Sequence, residues 1–378
     1  MKPRTTATQK IVPERLQGTD GVRREVKLAK DPECLNLTPL QTFLEKGWIS
    51  DEFMELYTYC YVKNQLKKKS ASAKIAIFII GWDPRDPSEI FTEAVVRGVR
   101  KAGCEAKVLG VVPTPLVPLF MLHEGAQGGI MVTASHNPKD QNGIKLFLPF
   151  HGMKPLPADD IDLTQCLLKQ NYDAIKKLPL KGGRVDARQE ALELFQHFSL
   201  RPENSWIHSK NTLKDLTLVV DPAYGALTKI AAQIFRKAGV GKVLEVNAGK
   251  NGAVNLRSGV ADLEGHPRIT AEMILKPAGL FHSHQAIVKL FELGRANQKS
   301  AKSGEIRIAG AIFDADGDRF FRLEYDPFQD LLWVLSGDET AILQARHLVS
   351  CFPEKYDGSL YINTVESDLN ASTCAKTM

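Results

Sequence analysis

The sequence predicts an α/β protein built from helices layered on parallel strands. Three observations support this: β-branched apolar runs of strand length recur along the chain, amphipathic stretches separate them, and glycine, proline and aspartate mark the junctions. The chain has 378 residues, enough for two or three domains. With 43% hydrophobic and 25% charged residues, it is typical of globular proteins, which excludes collagen, coiled coils and general disorder.

The first strand and helix alternation covers residues 74–134. KIAIFII at 74–80 predicts a buried strand, and Ser88 is expected to cap a helix that ends near Gly103. EAKVLGVV and GGIMVTA predict two further strands, with a short helix at 114–124 between them. Strands joined through helices favour parallel pairing.

The alternation returns after residue 216. LTLVVDP, KVLEVN and IRIAGAIF predict strands, and an amphipathic helix is expected from Gly225 to Ala238. Within the stretch 248–304, GRANQKSAKSG predicts an exposed loop. A third unit is expected near Leu331, with a helix at 337–349 and a strand, SLYINTV, at 359–365. Because about 48 residues are too few to close such a domain, we expect this unit to be incomplete.

Charge, apolar runs and cysteine spacing argue against several classes of protein. The net charge of +5 is mild and spread along the chain, so it does not by itself indicate a nucleic-acid partner. No apolar run approaches the ~18 residues of a membrane span, and the first ten residues resemble no secretory signal. The six cysteines form no CxxC pair. We therefore expect a cytoplasmic protein with no membrane or nucleic-acid partner; the sequence does not determine the oligomeric state.

A turn-rich polar loop, TASHNPKDQNGIK at 133–145, follows the third of these strands. Its Asn-Pro and Asn-Gly pairs demand special backbone angles. Because ligands of open α/β sheets bind at the carboxyl ends of strands, Ser135 and His136 are candidate functional residues. A turn serine without a catalytic role is the simpler interpretation of Ser135 alone, but the full string is much less expected by chance.

Three carboxylates recur with a spacing of two in DADGDR at 314–319. On an extended segment this spacing places Asp314, Asp316 and Asp318 on one side, where they would repel one another without a cation. Hard oxygen donors suit Mg²⁺, and the lack of a glutamate at position 12 of the loop argues against an EF-hand calcium site. A solvated acidic turn is the alternative, but such turns do not usually follow an apolar run.

A third string, GTDGVRR at 18–24, places glycines around Asp20 ahead of Arg23 and Arg24. Alone, it is more simply an exposed turn, although guanidinium groups on such a loop could clamp phosphate.

Together the three strings resemble the α-D-phosphohexomutase superfamily of phosphoglucomutases and phosphomannomutases. GTDGVR resembles its N-terminal loop, TASHNP and NGIK its phosphoserine loop, and DADGDR its metal loop, in the family's order. The resemblance covers roughly residues 15–370 and is weak at 150–185 and 248–304. It implies three-layer mixed α/β domains: domain I at 1–182, domain II at 183–328, an incomplete domain III at 329–378, and no fourth domain.

The resemblance also implies a function. The enzyme would interconvert hexose 1-phosphate and hexose 6-phosphate, of glucose or mannose, through a phosphoserine and a bisphosphate intermediate, with a hexose 1,6-bisphosphate as activator. Ser135 would carry the phosphate and bind Mg²⁺ together with the three aspartates. The family's pattern assigns catalytic roles to Lys145, Arg23 and His136 and substrate binding to Arg319 and Arg24.

Departures from the family limit these expectations. Arg24 stands where many members have glycine, and Ala315 replaces a common glycine. The family's sugar-recognition loop and its fourth-domain phosphate loop are not found in residues 331–378, so we expect this chain to be a poor mutase or none. Thr133 weakly favours glucose or mannose over glucosamine.

Two other functional classes remain open. One is a catalytically silent, mutase-like protein that binds metal or phosphosugar or has a regulatory role. The other is a phosphatase-like hydrolase with an aspartate nucleophile in DADGD, which has no use for the TASHNP loop.

Overall fold

The computed structural model describes residues 13–68, 75–202, 211–249, 252–364 and 367–377. Contacts divide the chain into two compact units. Of the described residues, the first unit takes those up to 82, then 88–134 and 140–192, and the second takes 83–87, 135–139 and those from 193 onward. Across the described residues, no helix combines the length and apolar character needed to cross a membrane.

Seven described strands form the sheet of the first unit, in the order β2-β1-β6-β5-β3-β4-β7. Strands β1 and β2 pair in parallel, and so do β3, β4, β5 and β7 with their neighbours, whereas β6 pairs antiparallel with β1 and β5. The strands are β1 Val22–Val26, β2 Trp48–Ile49, β3 Ile77–Trp82, β4 Glu105–Val111, β5 Gly128–Val132, β6 Gln141–Phe147 and β7 Arg184–Asp186.

Helices cover both faces of this first sheet. The chain contributes α1 Pro39–Gln41, a π-type turn at Thr42–Lys46, α2 Asp51–Lys68, α3 Ile90–Lys101, α4 Leu116–Glu124, α5 Pro157–Leu168 and α6 Tyr172–Lys176. On one face α2 and α3 pack at Gly98, where an added Cβ would lie 2.6 Å from the carbonyl oxygen of Glu55. On the other face Val117 and Met121 of α4 approach Gly129 of β5. The sheet is thus the middle of three layers.

Six described strands form the sheet of the second unit, in the order β10-β13-β12-β11-β8-β9. Strand β8 runs parallel to its two neighbours, β9 and β11, and the remaining pairs are antiparallel. The strands are β8 Leu216–Asp221, β9 Lys242–Glu245, β10 Arg268–Thr270, β11 Arg307–Phe313, β12 Phe320–Asp326 and β13 Leu331–Leu335.

Alternate residues of β8 enter two different cores. Val219 belongs to the core that contains Leu290 and Phe291, whereas Leu218 and Val220 pack with Ala231. Because successive strand residues face opposite ways, helices must lie on both faces of the sheet. Beyond α7 Arg188–Leu200, the helices are α8 Ile230–Lys237, α9 Ala271–Leu275, α10 Gln285–Ala296, α11 Gln298–Lys302, α12 Gly337–Cys351, α13 Pro353–Tyr356 and α14 Leu369–Ala375, with a 3₁₀ turn at Ala261–Leu263.

The predicted three-layer mixed α/β class is confirmed, and so are the expected strands within 74–134, those at 216–222, 242–247 and 306–313, and the helix at 337–349. Ser88 does not cap α3; the capping position is Glu89, in left-handed conformation. The prediction of a loop for GRANQKSAKSG is wrong, because this segment lies in α10 and α11. Its glycine permits close packing: an added Cβ at Gly294 would lie 2.5 Å from the ring of Tyr325.

The segment after residue 330 differs most from expectation. Leu331–Leu335 was expected to open a third unit, but it pairs antiparallel with β12 inside the second sheet. The prediction of a strand for SLYINTV is wrong for residues 359–364, while Val365 lies outside the described residues. Leu360 and Ile362 are 87% and 85% exposed. The alternation of apolar residues in this segment therefore did not produce a strand, because no neighbouring strand pairs with the described residues 359–364. The domain limits at 182/183 and 328/329 stay predictions.

Candidate active site

The acidic loop 314–318 begins where β11, an inner strand of the second sheet, ends. Asp314 and Asp316 are fully buried, Asp318 is exposed, and one carboxylate oxygen of each lies within 4.8 Å of the others. The loop closes on Asp314, whose Oδ1 accepts hydrogen bonds from the amides of Asp318 and Arg319 at 3.2 and 3.1 Å. Gly317, at φ +68°, makes the tight turn possible.

Without a bound cation, the buried negative charges of this loop would destabilise the folded protein. Burial first, and then the charges of Asp316 and Asp318, raise the pKa of Asp314 well above its ordinary value, while the hydrogen bond from Ser135 lowers it. Like charges gathered in a buried place are stabilised by a cation. The donor set fits Mg²⁺, because it consists of hard carboxylate oxygens and leaves positions for water or phosphate.

Ser135 lies at this acidic loop although 179 residues separate it from Asp314. Its Oγ donates a hydrogen bond of 2.6 Å to Asp314 Oδ2, and the residue is 1% exposed. Its φ of +55° falls in the left-handed region, which residues with a Cβ seldom adopt. Such strain persists only where surrounding contacts enforce it.

Arg85 provides some of the contacts that hold the backbone of Ser135. Its Nη2 donates to the carbonyl oxygen of Ser135 at 2.6 Å, and its Nη1 donates to that of Pro138 at 3.2 Å. Its Nε pairs with the buried Asp83 carboxylate at 2.9 Å. Sequence reasoning missed both residues because WDPRDPS indicated only a turn; an Asp and an Arg at spacing two after a buried strand were the available signal.

The other predicted residues near Ser135 are placed as follows. His136 is half-buried next to Ser135 in the same loop. Arg319 donates to Glu264 at 2.9 Å and lines, together with His266, Ser336 and Asp338, a cavity of about 970 Å³ in the second unit.

A second charged cluster lies within the first unit. The Asp20 carboxylate contacts Arg23 Nη2 at 2.6 Å, Lys145 Nζ at 3.0 Å and Lys154 Nζ at 2.6 Å. Burial alone would raise the pKa of Asp20, but the ammonium groups of Lys145 and Lys154 outweigh it, so the pKa lies below its ordinary value.

Strand pairing builds this second cluster from two of the sequence motifs. β1 pairs with β6 so that Arg23 lies opposite Gly143, which brings GTDGVR against NGIK. Gly21 permits the approach, since an added Cβ would lie 2.3 Å from the carbonyl oxygen of Ile144. Arg24 points elsewhere: its guanidinium lies 5.6 Å from the ring centroid of Phe43.

The predicted site residues therefore fall into two sets. Ser135, His136, the three aspartates and Arg319 belong to the second unit, and Arg23, Arg24 and Lys145 belong to the first. The chemical role of each stays a prediction. The signal for Asn255, whose side chain contacts both loops of the second-unit site, was missed because it lies in the poorly patterned stretch 248–304.

The sequence is similar to those of known mutases. Residues 42–172 match the family described as phosphoglucomutase/phosphomannomutase, alpha/beta/alpha domain I. A phosphoglucosamine mutase from Mycobacterium leprae (strain Br4923) is 35% identical over 188 residues, which cover 50% of this chain and 38% of that protein. One from Pseudomonas putida (strain F1) is 28% identical over 332 residues, covering 88% of this chain and 59% of that protein.

Solved structures show the same fold. A phosphoglucomutase/phosphomannomutase family protein from Burkholderia thailandensis aligns with a TM-score of 0.56 at 17% identity, covering 90% of this chain and 60% of that chain. The open form of the Paramecium phosphoglucomutase parafusin aligns with a TM-score of 0.52 at 20% identity, covering 90% and 57%. The chain thus spans between about two fifths and three fifths of these proteins' lengths.

Proposed function

This chain belongs to the α-D-phosphohexomutase superfamily, and on that premise we propose that it transfers a phosphoryl group between Ser135 and a hexose phosphate. The observation that carries the proposal is the 2.6 Å hydrogen bond from Ser135 Oγ to a carboxylate of the acidic loop. A buried serine hydroxyl held at a magnesium-type donor set suits phosphoryl transfer, in which catalysis consists mainly of positioning and charge stabilisation.

The proposed reaction has two halves. A hydroxyl oxygen of the hexose phosphate attacks the phosphorus of phosphoserine 135, the P–Oγ bond breaks, the sugar hydroxyl loses its proton and Ser135 gains one. Ser135 Oγ then attacks the other phosphoryl group of the bisphosphate and loses its proton, while the released sugar oxygen gains one. A hexose 1,6-bisphosphate can start the cycle by phosphorylating Ser135.

The chain's own residues take these roles. Asp314, Asp316 and Asp318 would hold Mg²⁺, which when bound offsets negative charge on the phosphoryl group. Ser135 is held in place through its carbonyl, which leaves Oγ as the reacting atom. Lys145 and Arg23, assigned by family resemblance, would stabilise developing negative charge. Arg319 would bind the anionic substrate in exchange for Glu264.

The substrate is proposed at the level of a phosphorylated hexose. Thr133 favours glucose or mannose, whereas the two curated relatives named above are phosphoglucosamine mutases. We propose the cytosol as the location, in keeping with six unpaired cysteines.

The test is transfer of phosphate to the protein. Purified protein is incubated with Mg²⁺ and the 1,6-bisphosphate of glucose, mannose or glucosamine, and the modified residue is identified by mass spectrometry. We expect one phosphoryl group on Ser135, none in Ser135→Ala, and normal labelling in the control Ser303→Ala. Phosphate on an aspartate would instead establish a phosphatase-like reaction, and no labelling by any bisphosphate would contradict the proposal.

Turnover is measured separately from labelling. A coupled assay follows hexose 1-phosphate to hexose 6-phosphate with the bisphosphate present. Labelling of Ser135 without turnover would support the silent, mutase-like alternative, and turnover of about 1 s⁻¹ or more would establish an ordinary enzyme.

A further inference from the structure

Asn255 joins the two loops that form the second-unit site. Its Nδ2 donates to the carbonyl oxygens of Ser135 and Asn137 at 2.8 and 3.1 Å. Its Oδ1 accepts a hydrogen bond from the amide of Ala315 at 3.1 Å. One side-chain amide is therefore bonded at the same time to residues 135–139, which we call the serine loop, and to the acidic loop.

The backbone around Asn255 is itself held. The Asn255 amide donates to the carbonyl oxygen of Ala223 at 3.0 Å, in the turn that follows β8. Ala315 is held on its other side as well, because its carbonyl oxygen accepts from the amide of Ala226 at 2.7 Å. Backbone hydrogen bonds thus hold both the acidic loop and Asn255 against the turn that follows β8. The side chain of Asn255 then bonds the serine loop to these two segments.

Chemistry restricts which side chain can do this. The serine loop offers carbonyl acceptors and the acidic loop offers an amide donor, so the residue between them must both donate and accept. Arg85 shares the carbonyl of Ser135 but has only donors, so it cannot accept from Ala315. Position 255 also has φ +57°, a conformation that asparagine tolerates better than most residues.

We propose that Asn255 is a positioning residue that sets the Ser135 hydroxyl against the three carboxylates by bonding the serine loop to the acidic loop. The inference rests on the proposed function for its catalytic consequence. Asn255 itself does not touch the reacting atoms. Its effect passes through the position of Ser135 relative to Asp314, so its removal should weaken both phosphorylation and metal binding.

Two substitutions separate the hydrogen bonds from the backbone. Asn255→Asp keeps the size but loses both Nδ2 donors and brings a charge toward two carbonyl oxygens. Asn255→Gly removes the side chain while still permitting a positive φ. The control is Asn297→Asp in the same unit, where Nδ2 donates at 2.8 Å to the carbonyl oxygen of Leu293 in the preceding helical turn.

Three measurements are made on the full chain: the rate of Ser135 phosphorylation by hexose bisphosphate, the Mg²⁺ concentration that gives half of the metal-induced rise in Tm, and the hydrogen-exchange rate of the Ala315 amide. We expect both Asn255 variants to phosphorylate about 10–100-fold more slowly and to need more Mg²⁺, the effect typical of residues that orient metal ligands. The Ala315 amide should exchange faster, and Asn297→Asp should match the wild type.

The outcomes distinguish the two proposals. If wild-type protein is neither phosphorylated nor stabilised by Mg²⁺, the proposed function fails, while exchange at Ala315 still tests whether Asn255 joins the loops. If the wild type responds and both variants keep its phosphorylation rate and Mg²⁺ midpoint, the inference on Asn255 is wrong. A loss in Tm alone, with midpoint and rate unchanged, would show a merely structural role and overturn it as well.

Discussion

The two charged clusters of this protein balance their charges in opposite ways. In the first unit, Asp20 meets three cationic side chains, and its pKa lies below the ordinary value. In the second unit, Asp314 meets two more carboxylates, and its pKa lies well above the ordinary value. Burial acts to raise the pKa of both aspartates; the neighbouring ammonium groups outweigh it at Asp20, whereas the neighbouring carboxylates add to it at Asp314.

This contrast separates a complete ionic cluster from one that needs a cation. The Asp20 cluster contains its own counter-charges, one of them the ammonium of Lys145, which is 1% exposed. The Asp314 cluster gathers negative charge in a buried place, which costs free energy until a cation binds. A single kind of substitution, aspartate to asparagine, should therefore have opposite effects in the two clusters.

Asp20→Asn should give the largest loss of stability. It removes the carboxylate that the buried Lys145 contacts, and breaking such a pair costs about 3 kcal/mol or more. Urea unfolding at neutral pH measures the change, with Asp162→Asn, an exposed aspartate of α5, as the control. A loss no greater than that of the control would show that the cluster is not a stabilising ion pair.

Asp316→Asn should leave the metal-free protein as stable as the wild type or more so, because it removes like-charge repulsion. It should abolish most of the stabilisation by Mg²⁺, which is about 2.7 kcal/mol when the ion is at 100 times its Kd. Tm measured across a Mg²⁺ titration tests this against Asp215→Asn, a change at an exposed aspartate of the same unit. Equal Mg²⁺ responses in all three proteins would refute the metal site.

Acid should weaken the first cluster in a predictable window. The folded pKa of Asp20 lies below its unfolded value near 3.8, so its contribution is present above that value and disappears as pH falls through the folded pKa. The stability difference between wild type and Asp20→Asn should therefore shrink as the pH falls from about 5 to about 3. A difference that stays constant or grows over this range would contradict the low pKa.

Lys154→Ala should have the smallest effect. Its side chain is 39% exposed, although its Nζ lies 2.6 Å from Asp20 and 4.1 Å from the ring centroid of Phe147. Exposed ion pairs contribute about 0.5 kcal/mol, so we expect a loss of that size in urea unfolding, with Lys30→Ala as the control. A loss above about 2 kcal/mol would mean that Lys154 is as important as a buried partner.

The sequence predicted the strands that carry the sites better than the helices around them. Strands such as β3 and β11 combine β-branched runs with glycine or aspartate ends, and both signals are local. The helix α2 Asp51–Lys68 was missed over most of its length because it shows little helical period. Its consecutive residues Phe53, Met54, Glu55, Leu56 and Tyr57 are all buried. Even Glu55 is inside, paired with Arg97 and Lys101 at 2.7 and 2.6 Å, so polarity did not reveal its environment.

The sequence by itself determined the α/β class, the three motif loops, and the residue types from which a phosphoryl-transfer site could be made. Spacing of two was enough to predict that the aspartates of 314–318 come together, because neighbouring residues have few ways to separate. Only the tertiary structure decided that Ser135 bonds to Asp314, that Asp20 faces Lys145 and Lys154, and that Asn255 and Arg85 hold the serine loop. Those contacts join residues far apart in the chain, and their geometry is set by strand register and loop packing, which no local pattern encodes.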